Sequence, residues 1–189
     1  ASAGYYVAQT AQSSQTACAV GKYQSLTGQT SCVAASAGHY VDQSGQSTQT
    51  ACSAGTYQDE EGTDFCNWAL SGYYVPTTGQ TSQTACAAGT YQAADRQSSC
   101  DNASAGYYVA QTAQSSQTAC TEGTYNPNTG STRSVDCLES IVGHYVPISG
   151  QSSQTACSAG NYQPETGQDD CDAADRGYYV PTTGQSSQT

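Results

Sequence analysis

Along this chain no three-to-four spacing of apolar residues, the mark of an amphipathic helix, is sustained from one stretch to the next. They stand in short runs between polar stretches, and the most regular of them is a tyrosine two positions after a glycine. This Gly-x-Tyr triplet begins at Gly4, Gly21, Gly38, Gly55, Gly72, Gly89, Gly106, Gly123, Gly143, Gly160 and Gly177. The step from Gly4 to Gly21 is kept throughout, except between Gly123 and Gly143, where TGSTRSVDC carries a three-residue insertion. A second glycine follows the tyrosine at a fixed offset, at Gly28, Gly45, Gly62, Gly79, Gly130, Gly150, Gly167 and Gly184. Ala11, Arg96 and Ala113 replace it in three periods. Two short extended arms around a glycine turn predict a small β-hairpin in each period. Pro76, Pro127, Pro147, Pro164 and Pro181 stand two positions after the tyrosine, just before the turn, where proline is tolerated.

Eleven modules result, starting at residues 1, 18, 35, 52, 69, 86, 103, 120, 140, 157 and 174. They run from residue 1 to 189 as one continuous repeat array. Residues 1–18 and 103–120 are identical, ASAGYYVAQTAQSSQTAC. Neither end shows an atypical capping repeat, so the sequence is expected to be a window on a longer array.

The ten cysteines follow the modules. Even modules open with Cys and carry a second one at a constant offset: Cys18/Cys32, Cys52/Cys66, Cys86/Cys100 and Cys157/Cys171. Cys120/Cys137 is the same pair stretched by the insertion. Odd modules have Ala, or once Ser140, at the first of these positions and always glutamine at the second: Gln15, Gln49, Gln83, Gln117, Gln154 and Gln188. The full period is therefore two modules, a 34-residue unit with one cross-linked half and one that is not. An amide where a disulfide would stand is expected to hydrogen-bond across the hairpin instead.

Composition removes an ordinary core. Leu, Ile, Phe and Trp together number seven and Met is absent, whereas Ser and Thr number 25 and 24. One Tyr and one or two Val cannot offset the entropy of ordering a whole module, even with a disulfide. Stability has to come from neighbours, with the recurrent Tyr and Val stacking module on module. The expected fold is small, all-β and disulfide-rich, a linear solenoid-like rod of 17-residue hairpin modules. Regular, even cysteine usage without any CxxC or CxxH points to disulfides rather than zinc, and so to an extracellular or cell-surface setting.

The modules CAVGKYQSLTGQTSC and CSAGTYQDEEGTDFC have the form Cys-x-x-Gly-x-Tyr…Gly-x-x-x-Cys. This resembles the ephrin-receptor-like cysteine-rich repeat, distantly similar to tumour-necrosis-factor-receptor and EGF-like modules. The likeness spans all eleven modules through Gly-x-Tyr and the full cysteine pattern in five. The usual Pro before the Gly is absent. The resemblance implies tandem repeats in a large extracellular protein.

The remaining chemistry is sparse. A charge of −11 with four Lys and Arg disfavours nucleic acid as a partner. No apolar stretch is long enough for a membrane span. His39 and His144 occupy the middle of Gly-x-Tyr, where Tyr, Lys, Thr and Asn also occur, which predicts a variable solvent-facing position. No nucleophile–base set can be assembled, so no enzyme is expected. The acidic runs at Asp59–Asp64 and Asp169–Asp175 match no calcium loop, and solvated charge is preferred to a calcium site. No cofactor is expected. Phe65 and Trp68 fall in one module and predict local packing. Asn102-Ala103-Ser104 is an N-glycosylation sequon, and Thr16, Thr50, Thr84, Thr118 and Thr155 are equivalent O-glycosylation candidates. The function these features favour is a structural extracellular glycoprotein. It would form a fibre, a matrix fibril, surface appendage or flagellar hair, by self-association or continuation of the array. The alternative is the stalk or ligand-binding ectodomain of a receptor or adhesin.

Overall fold

A computed structural model describes all 189 residues, Ala1–Thr189. It contains twenty two-residue β-strands, paired into ten separate antiparallel hairpins, and one 3₁₀ turn at Ser134–Asp136. The protein is a small all-β, disulfide-rich repeat. The first hairpin joins Tyr5–Tyr6 to Thr16–Ala17 in the register Tyr5↔Ala17 and Tyr6↔Thr16. The others repeat it, as in His39↔Ala51 with Tyr40↔Thr50 and Tyr107↔Ala119 with Tyr108↔Thr118. Each hairpin thus pairs the x-Tyr of the triplet with the two residues that end the module, and a third bond extends it when Cys18 N–H donates to the Gly4 carbonyl.

The chain divides into two compact units, residues 1–85 with 92–100, and residues 86–91 with 101–189. Both are built by the same module-to-module hydrogen bonds. In the first unit Gly21 N–H donates to the Val41 carbonyl at 2.8 Å, and Gln24 N–H to the Gln46 carbonyl at 3.2 Å. Gly45 N–H returns to the Cys18 carbonyl at 2.8 Å. In the second, Gly143 N–H donates to Gln163, Val146 N–H to Gln168 and Gly167 N–H to Ser140. So the backbone N–H of the triplet glycine, of the residue after the tyrosine and of the turn residue each finds a carbonyl of the adjoining module. A unit of two-residue strands closes its backbone hydrogen bonds in this way, since buried N–H and C=O groups need partners.

Contacts also reach the next module but one. A Cβ on Gly38 would collide with the carbonyl oxygen of Gly79, and one on Gly123 with that of Gly167. The triplet glycine is therefore fixed by close approach as well as by its positive φ, 81° at Gly38 and 77° at Gly123. Within each unit, odd modules lie against odd and even against even.

The core differs from the expected stack of Tyr and Val. Val41, Val75, Val109, Val146 and Val180 are buried, together with the opening residue of most modules, such as Cys18, Ala35 and Cys52. The triplet tyrosines stay half-buried beside this strip, apart from Tyr179, which is exposed. In even modules the valine position holds Gln24, Gln58, Gln92, Asn126 or Gln163, and these are buried too, Gln58 to 1 % exposure.

Candidate functional site

The site is a surface, and it is built by the alternation of modules. Four cysteine pairs close as the spacing predicts: Cys18–Cys32, Cys52–Cys66, Cys120–Cys137 and Cys157–Cys171, with Cα atoms 5.7 to 5.9 Å apart. Cys86 and Cys100 are disulfide-bonded as well, and no cysteine is free. In the odd modules the glutamine takes the place of the bridge. Gln15 Oε1 accepts from Ser2 N–H at 2.7 Å and Gln49 Oε1 from Ser36 N–H at 2.8 Å. Gln83, Gln117, Gln154 and Gln188 accept from Leu70, Ser104, Ile141 and Asp175 in the same way. The predicted cross-hairpin amide is present in all six odd modules.

The buried glutamines of even modules do a different job. Gln58 Nε2 donates to the Phe65 carbonyl at 3.0 Å, while its Oε1 accepts from Glu60 N–H at 3.0 Å. Gln24, Gln92 and Gln163 repeat both bonds, and Asn126 reaches Ser131 Oγ at 2.8 Å with Asn128 N–H on its Oδ1. A buried amide is costly unless both ends are bonded, and here they are. Among buried side-chain polar atoms only Thr63 Oγ1 lacks a partner. These residues were not singled out from the sequence, although the position after each tyrosine reads Val, Gln, Val, Gln from Val7 onwards.

Because like modules lie together, each unit has two kinds of surface. All but Asp42 and Asp175 of the 15 acidic residues belong to even modules, with all the disulfides. Odd modules carry most of the Ser and Thr residues and almost no charge. The middle of Gly-x-Tyr alternates as well: Tyr5, His39, Tyr73, Tyr107, His144 and Tyr178 in odd modules, Lys22, Thr56, Thr90, Thr124 and Asn161 in even ones. The expected variable, solvent-facing position is thereby corrected. His39 and His144 are half-buried, with their rings over Gly79 and Gly184 of the next odd module, where Tyr107 covers Gly150. Contact across two modules selects a flat ring there.

The five candidate threonines all stand on odd modules, exposed, in the strand opposite the triplet tyrosine, as in Tyr74↔Thr84 and Tyr145↔Thr155. Asn102 is exposed in the strand Asp101–Asn102, and Ala103 behind it is buried. No group of three or more His, Cys, Asp or Glu side chains is placed to hold a metal ion. No helix is long and apolar enough to cross a membrane.

Two departures from repetition remain. The insertion forms the 3₁₀ turn, closed by Asp136. Its carboxylate accepts from Thr132 N–H and Arg133 N–H at 3.1 and 3.0 Å, and pairs with the Arg133 guanidinium at 3.1 Å. Desolvation pushes this carboxyl up, but the bonds from Arg133 and Thr132 outweigh it and hold it below its ordinary value. The other departure corrects the expectation of local packing: Phe65 and Trp68 are 58 % and 55 % exposed. Trp68 stacks with Arg96, whose guanidinium carbon lies 4.8 Å from the ring centroid. Arg96 is the turn residue two modules on, so side chain and replaced glycine meet by the same contact that stacks the modules.

Comparison of the chain with protein-family models and with curated proteins gives no match to either.

Proposed function

We propose that the chain is part of a structural extracellular glycoprotein, a fibre or surface filament built from tandem cysteine-rich modules of ephrin-receptor-like type. One observation carries this reading: within each unit adjoining modules bond backbone to backbone at the same three positions. Bonds that ignore side-chain identity can be repeated without limit by repeating the module, as in other one-dimensional repeat proteins. Disulfides of this density form and persist in oxidising compartments, which supports an extracellular location. The hydroxyl-rich modules of low charge, with Thr16, Thr50, Thr84, Thr118 and Thr155, offer a surface for O-linked sugars, and Asn102 a site for an N-linked one. The array extends by continuation within one polypeptide or by head-to-tail contact. Neither a cofactor nor a reaction is part of this reading. A receptor or adhesin stalk is the second reading, favoured by the exposed aromatic pair Phe65 and Trp68.

Immunogold labelling of unfixed cells that make the protein, with antibodies to the oxidised chain, tests this. Gold in rows along extracellular filaments supports the fibre. Gold scattered singly over the plasma membrane contradicts it and favours the stalk.

A further inference from the structure

We propose that the chain carries one saccharide-binding site, centred on Trp68. The proposal does not depend on whether the array is a fibre or a stalk. Trp68 is the chain's only tryptophan and Phe65 its only phenylalanine, and both are exposed in the module that starts at residue 52. Trp68 is a wall of two open clefts. One, of about 690 Å³, is lined by Tyr57, Phe65, Asn67, Trp68 and Leu70 beside the Cys66 bridge. The other, of about 370 Å³, adds hydroxyls from Thr50, Ser53 and Thr56 and the guanidinium of Arg96. Arg96 lines only the second cleft, and Trp68 stays 55 % exposed beside it.

This lining suits a polyhydroxylated, uncharged ring. The π-face of an indole is electron-rich and attracts the electropositive C–H edge of a sugar, while binding clefts add a few placed polar groups to aromatic walls. Asn67 supplies such a group: one amide N–H reaches Asp59 Oδ1 at 3.3 Å, which leaves the other N–H and the carbonyl oxygen for hydroxyls. Arg96 stacked on Trp68 fixes the ring. The one carboxylate that touches a lining residue, that of Asp59, is engaged by the Asn67 amide, and a single arginine among a net charge of −11 gives a sulfated glycan little to bind.

With one tryptophan, indole fluorescence reports this site alone. The oxidised chain is titrated with cellohexaose, chitohexaose, a heparin hexasaccharide and hexalysine. Saturable change of Trp68 emission with an uncharged hexasaccharide is expected, weakened about tenfold or more by Phe65→Ala or Asn67→Ala, each about 1.4 kcal/mol of binding. Leu26→Ala, at an exposed leucine in another module, leaves it unchanged. No saturable change with either uncharged sugar up to about 10 mM, taken as the weakest affinity worth a site, overturns the proposal. So does a response only to heparin or hexalysine, or one that Phe65→Ala and Asn67→Ala leave intact.

Discussion

At the scale of single residues the chain is governed by two backbone demands. The turn position has positive φ in every module, at glycine and also at Ala11, Arg96 and Ala113, where φ is 67°, 62° and 59°. A side chain there costs roughly 1–2 kcal/mol, less the entropy a glycine loses on folding. Ala113→Gly is therefore expected to stabilise the oxidised protein by about 0.5–1 kcal/mol, read as a higher guanidinium midpoint. The second demand is satisfaction of buried amides. Gln58→Leu adds an apolar side chain at a position only 1 % exposed, yet strands the Phe65 carbonyl and the Glu60 N–H. It is expected to destabilise by about 2–4 kcal/mol at roughly 1–3 per orphaned group, with a matching fall in the same midpoint. The turn was legible because glycine recurs at a fixed offset. The glutamines are hidden because a Gln beside other polar residues carries no sign of burial, even where it alternates with Val.

At the scale of the hairpin, the sequence carries nearly everything. Strand register, turn and bridge are contacts within one module, and they sit at offsets the repeat prints plainly. The exchange of disulfide for glutamine follows from the same offsets. Gln49 bonds Ser36 N–H at 2.8 Å and Ala35 is buried like the cysteine it replaces. The double variant Ala35→Cys, Gln49→Cys should close a sixth disulfide, seen as no free thiol on the intact protein. It should gain about 2 kcal/mol, a bridge of roughly 3 less a hydrogen bond of roughly 1. The insertion hairpin adds a pH response. Asp136 titrates below its ordinary 3.8 when folded, so the unfolded chain takes the proton first. Its contribution is whole above that value and is lost as pH falls through the lower folded one. The protection of the Thr132 and Arg133 amides relative to the free peptide should fall in that acid range, and Asp136→Asn should abolish that pH dependence of the protection.

At the scale of the whole molecule, what the sequence did not disclose lies in contacts between a module and the next but one. His39 over Gly79, Trp68 against Arg96, and the gathering of the even modules' acids on one surface within a unit all depend on which module lies against which. A single sequence shows the period but not that like modules touch. Within each unit that adjacency turns a 34-residue alternation into two surfaces, one acidic and bridged, one nearly uncharged and rich in hydroxyls. Cryo-electron microscopy of native, unreduced material tests this most directly. Continuous filaments longer than eleven modules are predicted, with an axial repeat of one bridged and one bridge-free module and disulfide density on one side only. Discrete particles no longer than eleven modules, or a repeat of single modules with bridges on both sides, would contradict it.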